Sequence, residues 1–351
     1  MEFRDISPFT KKYEIKENDE APHFINDLEV QEWWYFNGFF NKSHLELENC
    51  SFTISFGHYP KNDSLKIIFH NRNGSNQGGI YLFPSGSLKA KSNKFDIQFS
   101  DSYAKGNYPN WQVYAENNKD KNNFSLNFTF KANSLPVWIF SNTGRNLTTS
   151  PIGYYSVLDC KFNGELTIKN KSYQVTGKGY HEHFWTIRNT NQISDYNTTI
   201  IDINVWDWSY IQLENGWNLA YVKLHNSNRA DFSRFIPGSM LLELDGKNII
   251  ESVFYTITYD NLQNTSIDTV ELPTNIRVRS IFFRNNRFSK LKTPFIVDIV
   301  YKMDDICECL CGSPPAWGQW ESTGTAIGTV IQSGKSFKIN GLGVMEITNK
   351  F

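Results

Sequence analysis

Neither sign of charge dominates this chain of 351 residues: 35 Lys and Arg stand against 36 Asp and Glu, a formal net charge of −1, with no basic stripe. That argues against a protein that grips nucleic acid through its phosphates, and favours a neutral, apolar or zwitterionic partner such as a hydrophobic small molecule or lipid. Cysteine is scarce and odd in number. Cys50 and Cys160 stand alone, and Cys307-Glu308-Cys309-Leu310-Cys311 lacks the paired Cys-x-x-Cys of a zinc knuckle, so a Gly/Pro-flanked loop or a strand edge is expected there. Residues Met1–Pro8 show no basic segment followed by an apolar one, and no run approaches 18 apolar residues. The expectation is a cytoplasmic protein with free thiols, whose membrane contact, if any, is peripheral. Gly-x-Ser-x-Gly, a phosphate-binding glycine loop and a dinucleotide fingerprint are all missing, so no cofactor and no partner protein are expected. Helical periodicity is missing too: no stretch of twelve residues carries a 3.6-residue apolar repeat.

What the chain has in quantity is aromatic side chains, 15% of all residues, inside a hydrophobic content of 40%. Period-two alternation recurs, as in Ser51–Phe56, Leu65–Phe69 and Phe124–Phe130. Turn signals fall at Asn73-Gly74, Gly78-Gly79, Pro84-Ser85-Gly86 and Asn163-Gly164. Further strands are expected at Thr199–Trp206, Trp208–Leu213, Asn218–Leu224, Ser239–Leu244, Ser252–Tyr259, Ile276–Phe283, Phe295–Tyr301, Thr325–Gln332 and Phe337–Ile347. Short strands at this spacing predict an all-β protein of sandwiches or barrels. The length implies two domains. An irregular lead-in occupies 1–30, one β-domain spans 31–189 and a second spans 196–351, with the polar Asn189–Asp195 between them.

An internal repeat supports the division. Shifted by 164, residues 164–182 fall on 328–346 with Gly164, Lys171, Ser172, Gly177, Gly179 and Glu182 meeting identical residues. Chance would supply roughly one such match. A weaker echo at shift 174 places Trp34-Tyr35-Phe36 on Trp208-Ser209-Tyr210.

Chemistry concentrates in Gly177-Lys178-Gly179-Tyr180-His181-Glu182-His183-Phe184-Trp185, bracketed by Gln31-Glu32-Trp33-Trp34-Tyr35 and Trp206-Asp207-Trp208-Ser209-Tyr210. On a strand, His181, His183 and Trp185 share one face, and Tyr180, Glu182 and Phe184 the other. His-x-His can aim two imidazoles at a metal, yet a third ligand would have to come from His225 or a cysteine, so no metal is expected. Carboxylates among aromatics suggest a different task. A carboxylic acid kept neutral by an apolar pocket donates a proton at neutral pH, and aromatic faces stabilise a cation. Protonating an isolated C=C bond needs both.

Taken in order, Glu32-Trp33-Trp34-Tyr35, Tyr154-Tyr155-Ser156, the Gly-x-Gly-Tyr-His-Glu-His-x-Trp segment, Trp206-Asp207-Trp208-Ser209-Tyr210, Trp320-Glu321 and Gly341-Leu342-Gly343-x-x-Glu346 resemble the family of carotenoid 1,2-hydratases and AttH proteins, which includes fungal decalin-forming Diels–Alderases. The likeness runs over residues 30–347. It implies two lipocalin-like β-domains and an apolar ligand. By that resemblance His183, Trp185 and an acidic residue near the Trp-Asp-Trp strand would act on an isoprenoid double bond; joined to the residue reading, this gives the expectation of a cofactor-independent hydratase with His183, Asp207, Glu182 and His181 catalytic. Trp185, Trp34, Tyr35, Trp206, Trp208, Tyr210 and Glu32 would then line the substrate. The family usually carries Asp between the two histidines, where this chain has Glu182. A pericyclase on the same scaffold and a non-catalytic apolar-ligand binder are the alternatives.

Overall fold

The computed structural model describes residues 14–24, 30–41, 45–48, 50–71, 76–117, 123–140, 152–187, 202–225, 238–247, 249–252, 255–266, 271–282, 295–312 and 315–350. The chain divides into two compact units, Met1–Asn197 and Thr198–Phe351. The polar stretch Asn189–Asp195 lies outside the described residues. Each unit is built on one antiparallel sheet, so the described residues are all-β apart from two short helical turns at Glu17–Glu20 and Leu45–Leu47. Among the described residues no helix is long and apolar enough to cross a membrane.

In the first unit the strands are β1 (Val30–Phe40), β2 (Ser51–Tyr59), β3 (Asn62–His70), β4 (Gln77–Pro84), β5 (Lys89–Ala90), β6 (Asp96–Phe99), β7 (Ser102–Asn107), β8 (Asn110–Asn117), β9 (Phe124–Ala132), β10 (Pro136–Phe140), β11 (Ile152–Ile168) and β12 (Lys171–Ile187). The second unit holds β13 (Asp202–Leu213), β14 (Asn218–His225), β15 (Gly238–Glu243), β16 (Ile249–Ser252), β17 (Tyr255–Asn264), β18 (Glu271–Phe282), β19 (Phe295–Gly312), β20 (Pro315–Gln332) and β21 (Lys335–Lys350). The first sheet runs β4-β3-β2-β1-β12-β11-β9-β8-β7-β6-β5, with β10 on the side of β11; the second runs β16-β15-β14-β13-β21-β20-β19-β18-β17. Nine consecutive places coincide, so the two sheets share one topology.

Local pairing refines the repeat. The hairpins β11–β12 and β20–β21 turn on Lys169-Asn170 and Ser333-Gly334, whose φ values of 48° and 66° match 52° and 76°. Both central residues lie in the left-handed region that a tight two-residue hairpin requires. The turn expected at Asn163-Gly164 does not form, because β11 runs straight through it, paired with Thr176 and Val175. Gly78-Gly79 likewise sits inside β4. The two strands expected either side of Asp207 are one strand, β13, with a bulge between Asp202 and Trp206. Cys307–Cys311 lies on the part of β19 that pairs with β20 alone, a strand edge, and Cys50, Cys160 and Cys307 are free thiols.

Alternation puts the large apolar side chains on one face of each sheet. In the first unit Phe40, Phe52, Phe128, Phe130 and Phe162 interlock, with Phe162 centred 5.0 Å from both Phe52 and Phe128. Glycines make this possible: a Cβ on Gly177 would stand 2.3 Å from the Phe162 ring, and one on Gly38 2.5 Å from it. The sheet curls over this core, so that Tyr81 on β4 donates to Asn117 on β8 at 3.0 Å. The second core gathers Ile211, Tyr221, Met240, Val278, Ile299, Tyr301, Met345 and Ile347.

Candidate functional site

The inner face of the first sheet is largely apolar, and along β1 and β12 Glu32, His181 and His183 point into the core. Each is fully buried. Aromatic rings enclose them: Trp34 stacks on His183 at 4.5 Å, Phe36 on His181 at 4.2 Å, and Trp111 lies 4.5 Å from His181. The alternation read from the sequence therefore holds, with His181, His183 and Trp185 on one face. The lead-in, expected to be irregular, closes over this face. Residues 14–24 form a strap held by three indoles: Trp138 donates to the Glu14 carbonyl at 3.0 Å, Trp34 to the Glu20 carbonyl at 3.2 Å, and Trp111 to Glu20 Oε1 at 2.7 Å. Its single helical turn, Glu17–Glu20, begins where Asp19 Oδ2 accepts the Lys16 N–H at 2.8 Å. Acidic residues in a first turn suit the unpaired N–H groups there.

The strap brings two side chains that the sequence reading missed. Glu20 is the first. Its Oε1 accepts from Trp111 and, at 3.2 Å, from the Tyr155 hydroxyl, and its Oε2 accepts the Tyr108 N–H at 2.7 Å. Burial pushes its carboxyl above the ordinary range, against the pull of those hydrogen bonds. The Tyr155 oxygen also lies 3.3 Å from His181 Nε2. His181 Nδ1 donates to the Tyr35 carbonyl at 3.0 Å, so its Nε2 carries the lone pair. Burial lowers His181 to about 3, so the ring is neutral. An acid, a phenol and a neutral imidazole thus stand in one row, in which the single phenol hydrogen can serve either Glu20 or His181. Phe95 and Trp111 separate it from a cleft of about 510 Å³ that also touches Glu17, Asp96 and Lys105.

His23 is the second. Its ring stacks on Trp185 at 4.1 Å and 7°, and its Nδ1 lies 2.8 Å from Glu32 Oε1. His183 Nε2 reaches the same oxygen at 2.7 Å, while its Nδ1 donates to the Asp19 carbonyl at 3.0 Å. Glu32 Oε2 accepts the backbone N–H groups of His23 and Phe24 at 2.8 and 3.1 Å. Burial raises Glu32, yet the hydrogen bonds of His183 and His23 outweigh it and hold the carboxyl below its usual range. His23, Glu32 and His183 also place their ligand atoms within 4.8 Å of one another, the spacing of a metal-binding set. His225, weighed from the sequence as a third ligand, has its side chain outside the described residues.

The remaining candidates lie elsewhere. Glu182 is buried on the opposite face of β12, where Trp33 donates to its Oε1 at 3.1 Å, and Tyr154 and Tyr180 to its Oε2 at 2.6 and 2.5 Å. Tyr35 shares that face, its ring 6.3 Å from Tyr180 and beneath Lys66. Asp207 belongs to the second unit. It points toward that unit's core, accepts from Tyr259, and raises the hydroxyls of Tyr221 and Tyr255 beyond what burial does. Trp206, Trp208 and Tyr210 occupy the other face of β13: Trp206 donates to Glu346 at 2.6 Å and Tyr210 to Asn218 at 3.1 Å. The structure therefore brings together His181, His183, Glu32, Trp34 and Trp185, and sets Glu182 across the sheet from them.

No family model and no curated protein sequence matches the chain. Solved structures do. A candidate AttH from Nitrosomonas europaea aligns with a TM-score of 0.64 at 17% identity, covering 96% of both chains. The fold is AttH-like. Kievitone hydratase from Nectria haematococca aligns at 0.61 and 11% identity over 97% of this chain and 98% of its own. CghA, solved with Sch210972, aligns at 0.59 and 11% identity over 99% and 97%. At these identities the likeness speaks to fold, and the AttH-like fold matches the two lipocalin-like β-domains expected from the sequence.

Proposed function

We propose that the protein is a cofactor-independent hydratase that adds water across a carbon–carbon double bond of an apolar, isoprenoid-type substrate. The row Glu20–Tyr155–His181 carries this reading. Glu20, whose carboxyl burial shifts toward the protonated form, gives its proton to one alkene carbon and leaves a cation on the other. Trp34, Trp111 and Tyr155 surround Glu20, and aromatic neighbours suit a tertiary cation. Water bonds to the cation. The protonated alcohol that results is a far stronger acid than an imidazolium, so even a weakly basic His181 Nε2 accepts its proton. Tyr155 then passes a proton from His181 back to Glu20, and the net change is H and OH added to the alkene. The fold shared with kievitone hydratase supports the reading, as do the aromatic surroundings of a carboxyl raised by burial and a neutral imidazole.

The similarity to CghA, solved with Sch210972, favours a second reading: the same interior folds an apolar substrate for ring closure, with Glu20 supplying only a hydrogen bond. One experiment separates them. Incubating the protein with prenylated lipids in isotopically labelled water and weighing the products gives, for a hydratase, a gain of one labelled water. A cyclase yields an isomer of unchanged mass, and a binder returns the lipid intact. Glu20→Gln should slow hydration by roughly 10²- to 10⁴-fold, the range for a general acid. Full turnover in that variant would remove the proposed row from the reaction.

A further inference from the structure

Beside the proton row, His23, Glu32 and His183 form a second cluster that the proposed hydration does not use. Its hydrogen bonds leave it one positive charge short. Because His183 Nδ1 donates to the Asp19 carbonyl, its Nε2 bears no hydrogen in the neutral ring. That bare lone pair faces Glu32 Oε1 at 2.7 Å. Glu32 Oε2 accepts two backbone N–H groups, which leaves Oε1 to face both His183 and, at 2.8 Å, His23 Nδ1. Two lone pairs cannot sit this close without a cation between them. Together with His23 Nδ1, these atoms lie within 4.8 Å of one another, close enough for one ion to bind all three.

We infer that His23 Nδ1, Glu32 Oε1 and His183 Nε2 are the ligands of a divalent transition-metal ion, with Zn²⁺ the fitting member. Two imidazoles and one carboxylate with a fourth position open is a familiar zinc donor set. The outer partners are those a zinc site has: the Asp19 carbonyl fixes the His183 tautomer, and the backbone N–H groups on Oε2 aim Oε1 at the two rings. Around an ion with bonds of about 2.0–2.1 Å, neighbouring tetrahedral ligands stand roughly 3.3 Å apart. The present 2.7 and 2.8 Å must therefore open by about half an ångström. His23 can open the 2.8 Å side, since it rides on the strap and 27% of its side chain is exposed, and a small turn of the Glu32 carboxylate opens the other. The same exposure gives an ion its way in. An ion there also pins the strap that carries Glu20 to strands β1 and β12.

Titrating the metal-stripped full chain with Zn²⁺ alone, followed calorimetrically and by elemental analysis after desalting, tests the site. One Zn²⁺ per chain is expected. His23→Ala and Glu32→Gln should each weaken binding at least tenfold, and Co²⁺ should give visible absorption bands that the same variants lose. Thermal melting reports whether Glu32→Gln folds; if it does not, the partly exposed His23→Ala decides alone. Glu20→Gln should bind Zn²⁺ like the parent, so metal binding and hydration stand or fall separately. No stoichiometric binding by the parent, or equal binding by His23→Ala, overturns the assignment.

Discussion

Glu20 shows how position sets the chemistry of a side chain. A glutamate in water ionises near 4.5; here burial raises that value, although Tyr108 N–H, Trp111 and Tyr155 donate to the carboxyl, and neighbouring Asp19 adds to the rise. The sign for catalysis follows. The proton donor is complete below the raised pKa and disappears as pH rises through it. The rate of hydration should therefore be flat on the acidic side, for as long as the fold persists, and decline on the alkaline side of an ordinary glutamate's range. Stability shifts with the same sign: the folded state favours protonated Glu20, and this preference is lost as pH rises through the raised value. Glu20→Gln should flatten that part of the stability curve. Rate and denaturation profiles on parent and variant check both statements, and a hydration rate that climbs with pH would assign the proton to another group.

At the scale of single elements, β12 was legible from its residues alone. Period-two alternation put His181, His183 and Trp185 together, and the structure finds them on the inner face. The strap was not legible. Residues 14–24 are polar and follow no apolar period, and their backbone is satisfied by distant indoles instead of neighbours on a ladder. Such long-range pairing leaves no mark on local sequence, so Glu20 and His23 had no signal beyond the acidic run Glu17–Glu20. The turns that misled, at Gly78-Gly79 and Asn163-Gly164, misled because glycine also serves strands where a neighbour comes close: a Cβ on Gly78 would lie 2.0 Å from the Ile67 carbonyl oxygen and one on Gly164 2.0 Å from that of Asn127. Gly153 is the clearest case. It pairs with Trp185, and a Cβ built on it would lie 2.1 Å from the indole. Gly153→Ala should push Trp185 off its stack on His23 at an overpacking penalty of about 1–3 kcal/mol. A lower denaturation midpoint with altered tryptophan fluorescence is the expected outcome, and an unchanged midpoint would mean that the ring moves freely.

For the whole molecule, strand pairing says more than the repeat in the sequence could. The pairs β1–β12 and β13–β21 equate Trp33 with Trp206 at shift 173, one residue from the echo expected at 174. In each unit that indole donates to the equivalent carboxylate, Trp33 to Glu182 and Trp206 to Glu346. Glu182 therefore belongs to a device that both units use to fasten two strands. The same pairing sets Asp207 where the first unit has Trp34, and Met345 and Ile347 where it has His181 and His183. The inner faces have diverged while the outer pairs have not. The first unit filled its interior with imidazoles under a strap; the second kept an apolar core with one acid bonded to Tyr259. Two centres of chemistry are then conceivable, and Asp207→Asn tells them apart. Asparagine keeps the shape and can still bond Tyr259, so the change should lower stability by about 1–3 kcal/mol. If the reaction runs in the first unit, the variant hydrates at the parent's rate, whereas Glu20→Gln does not. A collapse of turnover in Asp207→Asn at unchanged folding, with Glu20→Gln active, would move the chemistry into the second unit's core.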